Sequence, residues 1–386
     1  METYFSISID YVATDGVLNY PLFINSSALA DRPRYIRIRT IGDETAHEEL
    51  KELRNKYGQI YVRELDRELY VDFLLGEQSE FKLEDRAQAI KDLTIQHLEK
   101  VFTPSTTETK LDSLKDTIYA CRDSVVYLNK VIKDCDLEKI HHLISNINFH
   151  DFYTFDHSIN VCLYNMYLFK QLRPNAKEEK IIDAGLSGLL HDLGKVKIPT
   201  SLINKPGKLS HEEFSLMKEH VRFGQSMLTD IETGLKGIDV PLIKNVVYQH
   251  HENYDGSGYP EGKSGNSIDM VARMTSYADF FDAVTTKRAY HQPLPLDAAL
   301  QVMEGTKGMK LDPSMFSFVA NSLKNYRKEL NVGDEMLVMD PAFDPCRPCE
   351  ELPLKKEIVQ EKNFGQVIVG GKNDLRNKLN KITKKK

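Results

Sequence analysis

The sequence predicts a multidomain protein that is mainly α-helical, with a small α/β unit at the N-terminus and a short β-containing extension at the C-terminus. Three observations carry this. The chain has 386 residues, more than one ordinary hydrophobic core serves and enough for two or three domains. Short stretches rich in β-branched and aromatic residues fall before residue 102 and again past Asn331. Between them, apolar residues recur at helical spacing through segment after segment.

Each element follows from local pattern. YIRIRTI (Tyr35 to Ile41) and QIYVREL (Gln59 to Leu65) read as strands. The polar stretch between them sets Leu50, Leu53 and Tyr57 at helical spacing and stops at Gly58. Residues 1–102 are therefore expected to form a small α/β domain of sensory or regulatory type, although no phosphate-binding loop marks its input. TPSTTETK (Thr103 to Lys110) lacks apolar periodicity and opens a linker with connecting helices over 103–149. There Leu114, Ile118, Val125, Leu128 and Ile132 predict a helix from Leu111 to Ile147. Signal transmission, pairing with a second copy and plain connection are all open to it. Residues 150–325 form the helical domain. Ser210 and Glu213 supply a capping box, and Asp269 caps the helix through VARMTSYADFFDAV. Residues 326–386 form the extension, with strands at EMLVMD and GQVIVGG and a basic, solvated tail.

Composition removes several function classes. With 51 Lys and Arg against 57 Asp and Glu, the net charge is −6, so a broad basic surface for a nucleic acid polymer is not expected. No apolar run approaches the roughly 20 residues that span a bilayer, and METYFSISID lacks a basic region followed by an apolar one. Five cysteines form no disulfide framework, and an odd count suits a reducing compartment; the expected location is cytoplasmic. Cys346 and Cys349 form a lone CxxC without a second pair to complete a zinc site, and read as two reduced loop cysteines.

The chemistry is expected in the helical region. His191-Asp192 closes the apolar run IIDAGLSGLLHDLGK, where burying both groups without partners would cost several kcal/mol. Imidazole nitrogens and carboxylate oxygens are ligand types for Zn, Fe and Mn, and one carboxylate can bridge two ions. Gly194 is expected to stop the helix and leave Lys195 just beyond the pair. His250-His251 follows a second apolar run, and NYDGSGYPEG supplies the helix end at which both rings can reach one site. His157, His220 and Asp279 are single polar residues on otherwise apolar or amphipathic helices. Each alone reads as a satisfied core or surface group; together they read as a site. Asp151 and Asp156 read as surface polarity and capping.

The runs HDLGKVKIP, LINKPGKLSHEEFSLMKEH, HHENYDGSGYPEG and ADFFDAVTTKRAY, in this order, resemble the HD-GYP family of phosphodiesterases, a subset of the HD-domain metal hydrolases. The resemblance spans about residues 150–320 and includes an intact Gly258-Tyr259-Pro260. It implies an HD-type catalytic domain with one ion on His157, His191, Asp192 and Asp279. A second ion would lie on bridging Asp192, His220, His250 and His251. Some members hold a third ion through a Glu four residues before the first His; Tyr153 stands there in this chain, which implies two. Fe or Mn suits a His-rich, thiolate-free, carboxylate-bridged pair. The implied reaction is attack of a metal-bridging hydroxide on a cyclic dinucleotide, cyclic di-GMP to pGpG and in some members to GMP. Asp192 and Lys195 are the implied catalytic residues, with Lys195 as proton donor or electrostatic clamp. Arg288 is the implied phosphate ligand. His291 replaces a further basic residue common in the family, which keeps cyclic GMP–AMP open as substrate. Asp255, Gly256 and Gly258 are expected to shape the GYP loop, and Tyr259 and Pro260 to stiffen it. The alternatives are a catalytically weak cyclic dinucleotide sensor and a hydrolase of ordinary nucleotides, and the intact GYP loop argues against the latter.

Overall fold

The computed structural model describes residues 2–12, 17–27, 33–44, 46–57, 59–76, 79–102, 110–146, 153–205, 207–286, 293–322, 335–340, 343–345, 352 and 354–358. Four short strands form the N-terminal sheet: β1 (Tyr4–Ile7), β2 (Leu22–Asn25), β3 (Tyr35–Arg39) and β4 (Ile60–Arg63). Their order is β1-β4-β2-β3, with every neighbouring pair antiparallel. Alternation puts Phe5, Ile7, Ile60 and Val62 into the core. The expected strands β3 and β4 are both present, with helix α1 (His47–Tyr57) between them burying Leu50. They are not neighbours, because β2 pairs between them.

Helices α2 (Arg67–Leu75) and α3 (Leu83–Phe102) follow. The single helix expected from Leu111 to Ile147 is two, α4 (Lys110–Ile132) and α5 (Leu137–Asn146). The break falls at the polar run Lys133–Asp136, where the Asp136 carboxylate accepts a hydrogen bond from the Lys139 N–H at 2.9 Å and starts a new helix. Helices α6 (Tyr153–Leu172), α7 (Glu178–Leu189), α8 (Thr200–Ile203), α9 (His211–Lys218), α10 (His220–Ile231), α11 (Val240–Gln249), α12 (Met270–Thr285), α13 (Leu296–Thr306) and α14 (Pro313–Ser322) complete the body. The Ser210–Glu213 capping box is present at α9, and Asp269 caps α12 through the Val271 N–H. Cys121 and Cys162 are buried packing residues, and Cys135 is half-buried.

Two helices are immersed. Every residue from Phe155 to Phe169 on α6 is buried, and so is every residue from Tyr277 to Thr285 on α12. Their polar side chains must therefore find partners inside the protein. Asn165 does so by donating to Thr275 Oγ1 at 2.7 Å, tying α6 to α12.

At the C-terminus β5 (Glu335–Met339) pairs antiparallel with β6 (Leu354–Ile358) and packs on α13. The expected strand at EMLVMD is thus present; GQVIVGG, the basic tail, Cys346 and Cys349 lie outside the described residues. Among the described residues no helix is long and apolar enough to cross a membrane.

Helix α3 joins the sheet to the helical body. The Ser6 N–H donates to Gln96 Oε1 at 3.1 Å, and Gln96 Nε2 donates back to the Ser6 carbonyl at 3.0 Å. Five residues earlier, Lys91 Nζ lies 2.5 Å from Asp156 Oδ1 on α6, the two side chains only 5% and 1% exposed. Asp156 is therefore not the surface or capping residue that the sequence suggests; α3 covers it and supplies its counter-charge. Removing one partner of a buried ion pair strands the other. We expect Lys91→Met to lower the unfolding free energy in urea by about 3–5 kcal/mol. Lys91→Met combined with Asp156→Leu should recover most of that loss. A single-mutant change under about 1 kcal/mol, the range of an exposed pair, would refute this account of the pair.

Candidate metal centre

The site is assembled where three helix ends and two immersed helices meet. Helix α7 ends at Leu189, which leaves His191 and Asp192 in the turn beyond it. Gly194 does not act as the expected left-handed stop, since it is not among the glycines with positive φ. Its role is close approach: a Cβ there would lie 1.8 Å from the His220 carbonyl oxygen. Its bare Cα thus lets the turn press on the start of α10, whose first residue is His220. His250 caps α11 and His251 follows it. His157 comes from α6 and Asp279 from α12, and all seven residues are buried.

Hydrogen bonds define the protonation of the rings. A carbonyl oxygen can only accept, so a ring nitrogen facing one carries the proton. His191 Nδ1 donates to the Gly188 carbonyl at 2.7 Å and His220 Nδ1 to that of Met217 at 2.8 Å. His250 Nδ1 donates to that of Val247 at 3.1 Å. In all three rings Nε2 is left as an inward-facing lone pair. His220 Nε2 and His250 Nε2 face each other at 3.4 Å. Asp192 Oδ1 lies 3.4 and 3.9 Å from them and accepts no hydrogen bond although fully buried. These are acceptors converging with no proton between them, an arrangement that a cation satisfies. One atom from each of Asp192, His220, His250 and His251 lies within 4.8 Å of all the others. Burial holds the His220 pKa down at about 4 and that of His250 at about 3, so both rings are neutral at pH 7.

The second grouping, His157, His191 and Asp192, meets the same 4.8 Å condition. Asp192 belongs to both: its Oδ2 lies 3.2 Å from His191 Nε2 and 4.0 Å from His157 Nε2. Burial pushes the Asp192 carboxyl up, but its charged surroundings, the Lys195 ammonium among them, outweigh it and hold its pKa well below the usual range. Asp279 lies outside that mutual set and meets it at 3.2 Å through His157 Nε2. Lys195 Nζ donates to Asp192 Oδ2 at 2.6 Å, which puts a cation at the edge of the site.

Asp282, to which the sequence reading assigned no role, is the partner of His157. Its Oδ2 accepts from His157 Nδ1 at 2.6 Å, and its Oδ1 accepts from Asn160 Nδ2 at 2.8 Å and Thr286 Oγ1 at 2.7 Å. Burial disfavours the charged ring, yet the bonds to Asp279 and Asp282 override it and raise the His157 pKa to about 9. An outer carboxylate on a ligand imidazole fixes its tautomer and raises its basicity. The signal was present in ADFFDAV: Asp279 and Asp282 are three residues apart, on one face of an apolar helix.

The GYP loop folds back on the HHE segment. A Cβ at Gly258 would come 2.2 Å from Asn253 N and 2.4 Å from the His251 carbonyl, so only glycine fits. The Tyr259 ring then stacks on His251 at 4.8 Å and 18°, and Lys218 Nζ lies 5.6 Å from the centre of the Tyr259 ring. Glu252 Oε1 accepts from the Glu261 N–H at 2.7 Å. Arg288 and His291 lie outside the described residues.

Residues 164–315 match the HD domain family. A cyclic di-GMP phosphodiesterase of Pseudomonas aeruginosa is 37% identical over 166 residues, which cover 43% of this chain and 38% of that protein. A cyclic di-GMP phosphodiesterase response regulator of Xanthomonas campestris is 39% identical over 144 residues, 37% of this chain and 36% of that one. A 3'3'-cGAMP-specific phosphodiesterase of Vibrio cholerae is 30% identical over 171 residues, 44% of this chain and 35% of that one. The chain thus spans well under half the length of these relatives. The solved HDG"Y"P protein Bd1817 of Bdellovibrio bacteriovorus shares the fold, with a TM-score of 0.54 at 20% identity over 83% of this chain and all of that one. Residues 164–315 thus form an HD domain, and the HHE and GYP motifs stand in order within it beside the buried His/Asp groupings described above.

Proposed function

We propose that this chain is a metal-dependent phosphodiesterase acting on a cyclic dinucleotide. His157, His191, Asp192 and Asp279 would hold one divalent ion, and Asp192, His220, His250 and His251 a second. The observation that carries the reading is the buried meeting of His220 Nε2, His250 Nε2 and Asp192 Oδ1, all acceptors. The donors are nitrogen and oxygen without thiolate, which suits Fe or Mn. Two such ions supply charge neutralisation for a phosphodiester and a water acidified toward neutral pH.

The chain's own residues do the rest. Asp192 offers one oxygen to each grouping and so sets their separation. Lys195 donates to Asp192 Oδ2 and so places a cation beside the carboxylate that both groupings share. Asp282 fixes the His157 ring, and Tyr259 covers one face of His251. Arg288 is assigned to a phosphate oxygen by its place in TTKRAY. The relatives are named for cyclic di-GMP and for 3'3'-cGAMP, so both belong in the assay.

Anaerobically purified, Fe- or Mn-loaded protein should convert at least one of these to its linear dinucleotide, and chelation should stop it. Full ion occupancy with retained ligand and no product would replace the enzyme by a sensor. Asp192→Asn should reduce turnover to background while the circular dichroism spectrum stays unchanged. Lys195→Ala should keep both ions and lower kcat by about 10²–10³-fold, the usual loss for one transition-state donor; unchanged kcat would remove Lys195 from the chemistry.

The pKa directions also predict how the ion-free chain responds to pH. His220 and His250 have folded pKa values of about 4 and about 3, below the unfolded value, so the unfolded chain takes up protons first as pH falls. Stability from these two is therefore full above about pH 6.5 and is lost on acidification below it. His157, raised to about 9, contributes stability that is full below the unfolded value and is lost as pH rises through about 9. Urea midpoints of chelated protein should fall on both sides of about pH 6.5, and saturating Mn²⁺ should flatten the alkaline limb; a flat profile without ions would contradict these assignments.

A further inference from the structure

The segment that follows the helical body returns to the metal centre. Met339 is fully buried, and Phe343 is 6% exposed. The Phe343 ring meets Phe280 edge-on at 5.4 Å and 86°. Phe280 is the neighbour of Asp279 on α12, so the segment is anchored on a helix that builds the site. One residue past Phe343, the Asp344 carboxylate is 13% exposed, and its Oδ2 lies 3.9 Å from His251 Nδ1. Lys310 lies in the field of Asp344, Asp255 and Asp340, which offsets part of the charge gathered there. The turn carrying Lys310 is itself bonded to the chain after the HHE motif. The Tyr254 N–H donates to the Lys310 carbonyl at 3.1 Å, and the Asp255 N–H to that of Met309 at 2.8 Å.

We infer that Asp344 is a positioning residue for His251, so that the C-terminal segment completes the second ion site from outside the HD domain match, which ends at 315. At 3.9 Å the contact is longer than a hydrogen bond and acts through the field of the carboxylate. A carboxylate beside Nδ1 favours the Nδ1–H tautomer, whose Nε2 carries the lone pair. That is the service Asp282 gives His157 from within the domain. The two ends of the site thus receive their outer carboxylates from different parts of the chain.

This inference rests on the two-ion reading, and Mn²⁺ titration of the full ion-free chain separates the two. Calorimetry with elemental analysis should give two ions in the wild type. In Asp344→Asn and Asp344→Ala one of the two should weaken by about 10–100-fold, the usual loss for an outer partner of a metal ligand, while the other keeps its affinity. Asp344→Glu should restore part of the loss, and the electron paramagnetic resonance signature of a coupled Mn pair should fade in Asn and return in Glu. Two ions at unchanged affinity in Asp344→Asn would overturn the inference and leave the two-ion reading standing. Equal weakening of both ions would also overturn it, because it would mark a general structural role. A wild-type chain that never holds more than one ion would overturn both.

Discussion

The structure around the site depends on one buried carboxylate. Asp192 is fully enclosed, held by Lys195 on one oxygen and facing imidazole lone pairs with the other. A buried anion persists only where its surroundings compensate it. Here Lys195, in the turn after α7, compensates one oxygen, and four further segments converge on the carboxylate: α6, the start of α10, the end of α11 and, through His157, α12. None could move far without leaving a charge or a lone pair unanswered. The close approach at Gly194 is part of the same constraint, since a side chain there would drive the turn away from His220.

The immersed helices show how that constraint is distributed. α6 and α12 are buried on all sides over much of their length, yet they carry His157, Asn160, Asn165, Thr275, Asp279 and Asp282. Their polar groups interlock instead of facing solvent: Asn165 with Thr275, Asn160 and His157 with Asp282. Such a network specifies one relative placement of the helices, because any slip would leave several polar atoms unpaired at once.

Much of the site was legible in the sequence because its chemistry breaks local rules. His191-Asp192 ends an apolar run and His250-His251 precedes a Gly-rich turn, so both doublets stand out against their neighbours. The caps at Ser210 and Asp269 were legible for the same local reason. What could not be read depends on tertiary contact. Asp156 looks like a first-turn acid on an exposed helix until Lys91 arrives from α3, 65 residues earlier in the chain. Asp344 sits in a Pro-rich stretch with no periodicity and acquires meaning from the ring it faces. Gly194 read as a stop because sequence reports the residue and not what packs against its Cα. Strand β2 is buried at three consecutive positions, Leu22 to Ile24, and so carries no alternation to read.

The double hydrogen bond between Gln96 and Ser6 has a mechanical consequence. Gln96 and Lys91 lie five residues apart on α3, about 7.5 Å along one stiff rod. One end of that rod grips the backbone of a strand, and the other grips the residue immediately before His157. A displacement of β1 therefore reaches the metal centre as a translation or roll of α3, with no flexible joint between. His157 itself precedes residue 164, where the HD match begins. The matched segment is thus a lock without its frame: cut free at that boundary, it would lose an imidazole of the site together with the lever that carries strain from the sheet to it.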